Sequence, residues 1–128
     1  MKFTETSLSG AYVLEIAPQA DERGFFARTA CSMTFAEQGL NGAFVQQSVS
    51  FNAHEGTLRG LHFQAAPHAE DKLVRVTQGA IFDVIVDIRP GSVNFGQWFG
   101  VELSAQNHKQ LYIPKGFAHG FQTLEDNC

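Results

Sequence analysis

Short apolar runs broken by Gly, Pro and Asn set the pattern along the whole chain. Such runs, bounded by turn residues, read as strands. They predict strands over 11–16, 24–29, 44–51, 58–64, 72–77, 80–88, 99–103, 110–113 and 120–124. The alternation is clearest in 80–88. Phe82, Val84, Val86 and Ile88 fall on one face there, and Ile81, Asp83, Ile85 and Asp87 on the other. The run 44–51 alternates only weakly.

One short helix fits the pattern. Thr34-Phe35-Ala36-Glu37 has the spacing of a capping box, and Gly39 can end the helix after about two turns. Turns are predicted at Asn41-Gly42 and at Pro90-Gly91-Ser92. Strands do not alternate with long helices, which argues against a parallel α/β sheet. The expectation is an all-β sandwich, jelly roll or barrel.

With 128 residues, the chain is expected to form a single domain. A 44% hydrophobic and 17% charged composition is globular rather than disordered. A net charge of −4 excludes a broad basic surface, so no nucleic-acid partner is expected. An anionic ligand must then be met by a few placed cations. No run is long enough to span a membrane. The N-terminus lacks the apolar stretch of a secretory signal. Cys31 and Cys128 form no C-x-x-C pair, so a reducing cytoplasm is the expected setting. Most of the 12 phenylalanines are expected in the core.

Four stretches carry candidate chemistry. Leu58-Arg59-Gly60-Leu61-His62-Phe63-Gln64 would place Leu58, Gly60, His62 and Gln64 on one face of a strand. Taken alone, His62 is open between a catalytic base and a hydrogen-bonded core histidine. Pro114-Lys115-Gly116-Phe117-Ala118-His119-Gly120 is a Pro/Gly turn that feeds His119 into a strand. Asp21-Glu22-Arg23-Gly24 offers a guanidinium suited to bidentate phosphate binding, or an ordinary solvated turn. Lys72 opens an apolar strand, where an ammonium can steady an oxyanion or simply reach water.

Joined in order, these stretches resemble the dTDP-4-dehydrorhamnose 3,5-epimerase family. The resemblance rests on Asp21-x-Arg23-Gly24-Phe25-Phe26, Phe44-Val45-Gln46 and Thr57 to Gln64. It continues through Lys72 to Val76, Gly79 to Arg89, Phe95-Gly96-x-Trp98 and Ile113 to Phe121. It implies a double-stranded β-helix, that is, a cupin-like jelly roll with one or two short helices, usually a homodimer. It implies no cofactor and no metal. Gln64 stands where metal-binding cupins carry a second histidine. The implied substrate is a nucleoside-diphosphate 4-keto-6-deoxy sugar, whose ketone acidifies the protons on C3 and C5.

By the same resemblance His62 is the base and Lys72 steadies the enolate oxygen. Arg23 and Arg59 meet the diphosphate, and Gln46 and His119 touch the ligand. The family carries a tyrosine acid and a base-orienting aspartate in strands after the position of Cys128. Residues 1–128 are therefore expected to be C-terminally incomplete relative to the family, with sheet edges left unpaired. Asp83 is then the candidate to orient His62. Gln46-Gln47-Ser48 and Arg28 depart from the family's usual Gln-Asp-Asn and Glu. Two other functions fit the same residues: a 3,4-ketoisomerase, which favours His-Ala-His at 62–64, and a non-catalytic protein that binds nucleotide sugars.

Overall fold

The alternation at 80–88 becomes the longest strand of a computed structural model that describes residues 1–128. Four elements lead in: β1 (Lys2–Glu5), β2 (Tyr12–Glu15), β3 (Gln19–Asp21) and β4 (Gly24–Phe26). After α1 (Ser32–Glu37) come β5 (Leu58–His62), β6 (Lys72–Arg75) and β7 (Ala80–Asp87). The chain closes with β8 (Trp98–Ser104), β9 (Lys109–Ile113) and β10 (Phe117–Thr123).

Two four-stranded antiparallel sheets face each other. One has the order β1-β2-β9-β6 and the other β5-β10-β7-β8. The main core lies between them. Ile81, Ile85, Leu103 and Phe117 come from one sheet, Leu111 and Ile113 from the other, and Leu8 and Ala11 seal one side. Each fully buried apolar side chain contributes about 1.5–3 kcal/mol. The hairpin β3-β4 stands apart as its own two-stranded sheet.

The face of β7 that carries Asp83 and Asp87 is the inward one, and both carboxyls are fully buried. Buried charge requires partners, and both have them. Asp83 meets His119. Asp87 Oδ1 accepts from Arg89 Nε at 3.0 Å, and its Oδ2 accepts from Arg89 Nη2 and from Ser92 Oγ, each at 2.6 Å. The opposite face of β7, with Phe82 and Val84, lies on the outside of the molecule.

Helix α1 covers the back of the first sheet, where Phe35 is buried with Leu14 and Tyr112. Its start differs from the expected capping box. Cys31 is the N-cap, no side chain caps the helix, and Thr34 lies inside it. Seating Phe35 decides this, since its N–H bonds to the Cys31 carbonyl and the first turn spans 31–35. The end follows the expectation: Gly39 takes φ +70. Gly39 N–H bonds to the Ala36 carbonyl and Leu40 N–H to that of Phe35, a Schellman closure.

Three expectations are overturned. Residues 44–51 form no strand, because their backbone finds no ladder partner. The run at 24–29 keeps strand structure only to Phe26. Only Phe35 and Phe117 among the phenylalanines are buried, whereas Phe25, Phe26, Phe51, Phe63, Phe82 and Phe95 are exposed. They sit on the hairpin, on connecting segments or on the outer face of β7, where no second layer covers them.

Candidate active site

Strand register decides which candidates share a cavity. His119 lies opposite Ile85 of β7 on one side and His62 of β5 on the other. Ile85 belongs to the core, so both imidazoles lie on the inward face of the sheet. On the facing sheet Lys72 pairs with Ile113, another core residue, so Lys72 also lies on an inward face. Arg59 is opposite Phe121, which is opposite Asp83. His62, His119, Asp83, Arg59 and Lys72 thus lie on the inward faces of the two sheets, and the space between those faces is the candidate hollow.

Each group is held differently. His119 Nε2 lies 2.7 Å from Asp83 Oδ1, and the His119 side chain is 13% exposed. An ionised carboxylate only accepts, so with Asp83 ionised Nε2 is the donor of this pair. Burial pushes the Asp83 carboxyl above the ordinary carboxylate range, against the hydrogen bond from His119. Its Oδ2 is buried without a partner. Asp83 therefore orients His119 and not His62, a correction to the sequence expectation. Register explains it: β7 pairs with β10, and β10 lies between β7 and β5.

Arg59 Nε donates to Asn52 Oδ1 at 2.7 Å. No protein group accepts from its two Nη nitrogens, so they remain available to an anion. Buried Asn52 also exchanges backbone hydrogen bonds with Cys128. Sequence reasoning missed this residue, whose single loop amide carries no spacing signal. Lys72 Nζ is 3.3 Å from Glu70 Oε1, a partly exposed pair. His62 itself is exposed, because the hollow is open on its side.

Gly60 and Gly120 let β5 and β10 meet at close range. A Cβ on Gly120 would sit 2.6 Å from the Arg59 carbonyl oxygen, and one on Gly60 would sit 2.7 Å from the Gly120 Cα. The register shifts at this point, between His119 and Phe121. That bulge puts Arg59 and His62, an odd number of residues apart, on the same face. A cavity of about 250 Å³ lies behind the two glycines, on the outer side of the sheet, against Leu58, Leu61, Phe82 and Val84. Arg59 is the one ionisable residue in its lining.

Two expected site residues lie elsewhere. Arg23 is at the tip of the β3-β4 hairpin with its guanidinium paired to Asp21 at 2.6 Å, highly exposed. The hairpin touches the rest of the chain through Phe25 against His108. Gln46 lies on the unladdered segment 44–51, exposed and without a partner in the hollow. No group of three His, Cys, Asp or Glu side chains gathers as a metal site. No helix is long and apolar enough to cross a membrane.

This geometry has close counterparts. The family model for dTDP-4-dehydrorhamnose 3,5-epimerase matches residues 5–128. An enzyme of that name from Escherichia coli is 50% identical over 127 residues, covering 98% of this chain and 68% of the relative. One from Methanothermobacter thermautotrophicus is 48% identical, covering 99% and 68%. The crystal structure of the Bacillus anthracis enzyme, with TDP and PPi bound, superposes with a TM-score of 0.95 at 50% identity, covering 98% of this chain and 72% of that one. With the motifs, the jelly-roll sheets and the hollow in agreement, this chain belongs to the dTDP-4-dehydrorhamnose 3,5-epimerase family.

Proposed function

We propose that the hollow binds a nucleoside-diphosphate 4-keto-6-deoxy sugar and inverts it at C3, C5 or both. The carrying observation is that His62 and His119, cross-strand neighbours, share an inward face with Arg59 and look toward the inward face that carries Lys72. A ketone at C4 acidifies the hydrogens on its neighbours. His62 takes one of them as the general base. The Lys72 ammonium steadies the enolate oxygen that forms. The free Nη groups of Arg59 meet the diphosphate. Epimerisation is completed when a proton returns from the opposite side of the sugar ring.

The chain is proposed to work in the cytoplasm as a homodimer. The uncovered face of the second sheet supports the dimer, with Phe82 39% and Trp98 63% exposed. A dimer also gives Arg23 a role: its hairpin can serve a neighbouring copy, while within its own chain it stands apart from Arg59.

The test is solvent exchange. The protein is incubated in heavy water with a dTDP-4-keto-6-deoxy sugar and followed by NMR. Deuterium is expected at C3 or C5, and His62→Ala should abolish its entry. Unchanged exchange in that variant would refute the assignment. Nucleotide-sugar binding with no exchange in the unaltered chain would favour a non-catalytic binder.

A further inference from the structure

Arg59 is held differently from the other fixed arginines of this chain. Arg23 and Arg89 each form an ion pair with an aspartate two residues earlier, Asp21 and Asp87, at 2.6 Å. Arg59 forms no ion pair. Its side-chain hydrogen bond runs from Nε to Asn52 Oδ1 at 2.7 Å, and Asn52 is 4% exposed. A carboxylate in that place would offset the positive charge that an anion needs. An amide fixes the guanidinium and leaves its charge whole.

The amide itself is held from several sides. A guanidinium only donates and a backbone carbonyl only accepts, so Oδ1 faces Arg59 and Nδ2 faces the Cys128 carbonyl at 3.3 Å. Asn52 N–H also donates to the Cys128 carbonyl at 2.7 Å, and Cys128 N–H to the Asn52 carbonyl at 2.9 Å. Asn127 N–H bonds to the Ala53 carbonyl, Gly56 N–H to the Thr123 carbonyl and Thr57 N–H to Thr123 Oγ1. These bonds tie 52–57 to the end of β10, the strand that carries His119. Arg59 is thereby set in the same frame as His119. With Nε taken by Asn52, the Nε–Nη2 edge of the guanidinium is closed to a ligand. The Nη1–Nη2 edge is the one left for it.

We propose that Asn52 is a positioning residue for anion binding: its uncharged amide presets Arg59 so that the Nη1–Nη2 edge, at full charge, takes the phosphate oxygens of the ligand. This inference rests on the function proposed above for the class of that ligand. A free arginine side chain must be immobilised when it binds, which weakens affinity. Asn52 immobilises Arg59 when the chain folds. The amide touches no reacting atom, so its effect belongs to substrate binding and not to proton transfer.

The experiment measures TDP binding by calorimetry in the unaltered chain and in Asn52→Ala, Asn52→Asp and Arg59→Ala. Residue 52 keeps its backbone hydrogen bonds in both of its variants, and thermal melts check that each is folded. Asn52→Ala is expected to weaken TDP binding by about threefold to tenfold. Asn52→Asp, of the same shape, is expected to weaken it by about tenfold or more, since its carboxylate pairs with Arg59. Should Asn52→Ala not fold, the isosteric variant decides alone. Combined with Arg59→Ala, neither change should weaken binding further. With a dTDP-4-keto-6-deoxy sugar in heavy water, KM for deuterium entry should rise by the same factor as the TDP Kd, and kcat should change less. Unchanged TDP affinity, an equal loss with and without Arg59, or a loss confined to kcat would overturn the role of Asn52. If the unaltered chain binds no TDP, the functional reading fails and the role of Asn52 fails with it. If TDP binds and the Asn52 variants bind it equally well, the role of Asn52 fails and the functional reading stands.

Discussion

At the residue scale, the two buried carboxylates have different partners, the His119 imidazole for Asp83 and the Arg89 guanidinium for Asp87. On the proposed function Asp83 positions His119 through the 2.7 Å contact, so Asp83→Asn should leave the fold intact and slow sugar exchange by about tenfold or more, with an altered pH profile. Asp83→Ala should also destabilise the chain, which separates the two effects by thermal melts. Lys72→Ala should slow exchange by about 10²–10³-fold if Lys72 has its proposed role of steadying the enolate oxygen. Asp87 has no chemical task. The Arg89 guanidinium beside it, helped by Ser92, holds its carboxyl at about 2. A folded pKa below the unfolded value near ~3.9 means the stabilisation is complete above pH ~4 and is lost as pH falls toward 2. It amounts to roughly 2 kcal/mol by the same linkage. Asp87→Asn should therefore flatten the urea stability curve between about pH 5 and 2.

At the scale of elements, the two-residue period exposed most of the sheet, and β7 was readable almost to its ends. The parity of residues 81–88 could not say which face was inside, since Asp83 and Asp87 stand among isoleucines. Only their partners, His119 and Arg89, decide it, and those partners are long-range or turn-borne. Likewise His62, Lys72 and Arg59 were recoverable from motif order, while Asp83's true partner required the strand order β5-β10-β7. Strands β1 and β3 were not expected; both are short and mostly exposed, β1 held by pairing and by Phe3 against Phe35, β3 by pairing with β4. Segment 44–51 failed in the other direction, with strand-like residues and no neighbour. The contact between β5 and β10 gives the sharpest test here. Gly120→Ala would drive a methyl group to 2.6 Å from the Arg59 carbonyl. A cost of about 1–3 kcal/mol is expected in the urea midpoint, with weakened nucleotide binding because Arg59 is carried on the displaced strand.

At the scale of the molecule, exposure and charge point to association. A chain with half of its phenylalanines exposed is poorly suited to stand alone in water. Four of the fourteen exposed large apolar residues gather on one face, beside half-buried Val84. Leu58 and Leu61 from β5, Phe82 and Val84 from β7 and Trp98 from β8 occupy one face of one sheet, backed by the cavity behind Gly60 and Gly120. A two-fold pairing of this face with itself buries the same residues twice and leaves the hollow on the opposite side of the sheet free for ligand. Sedimentation should then report twice the mass of a single chain. Phe82→Glu with Trp98→Glu should return the monomer, since four like charges would meet across the two-fold axis. Both side chains point away from the core, so the melting of each monomer's sheets should survive the change. A dimer that persisted in this variant would assign association to another surface, such as the β3-β4 hairpin that carries Phe25 and Phe26.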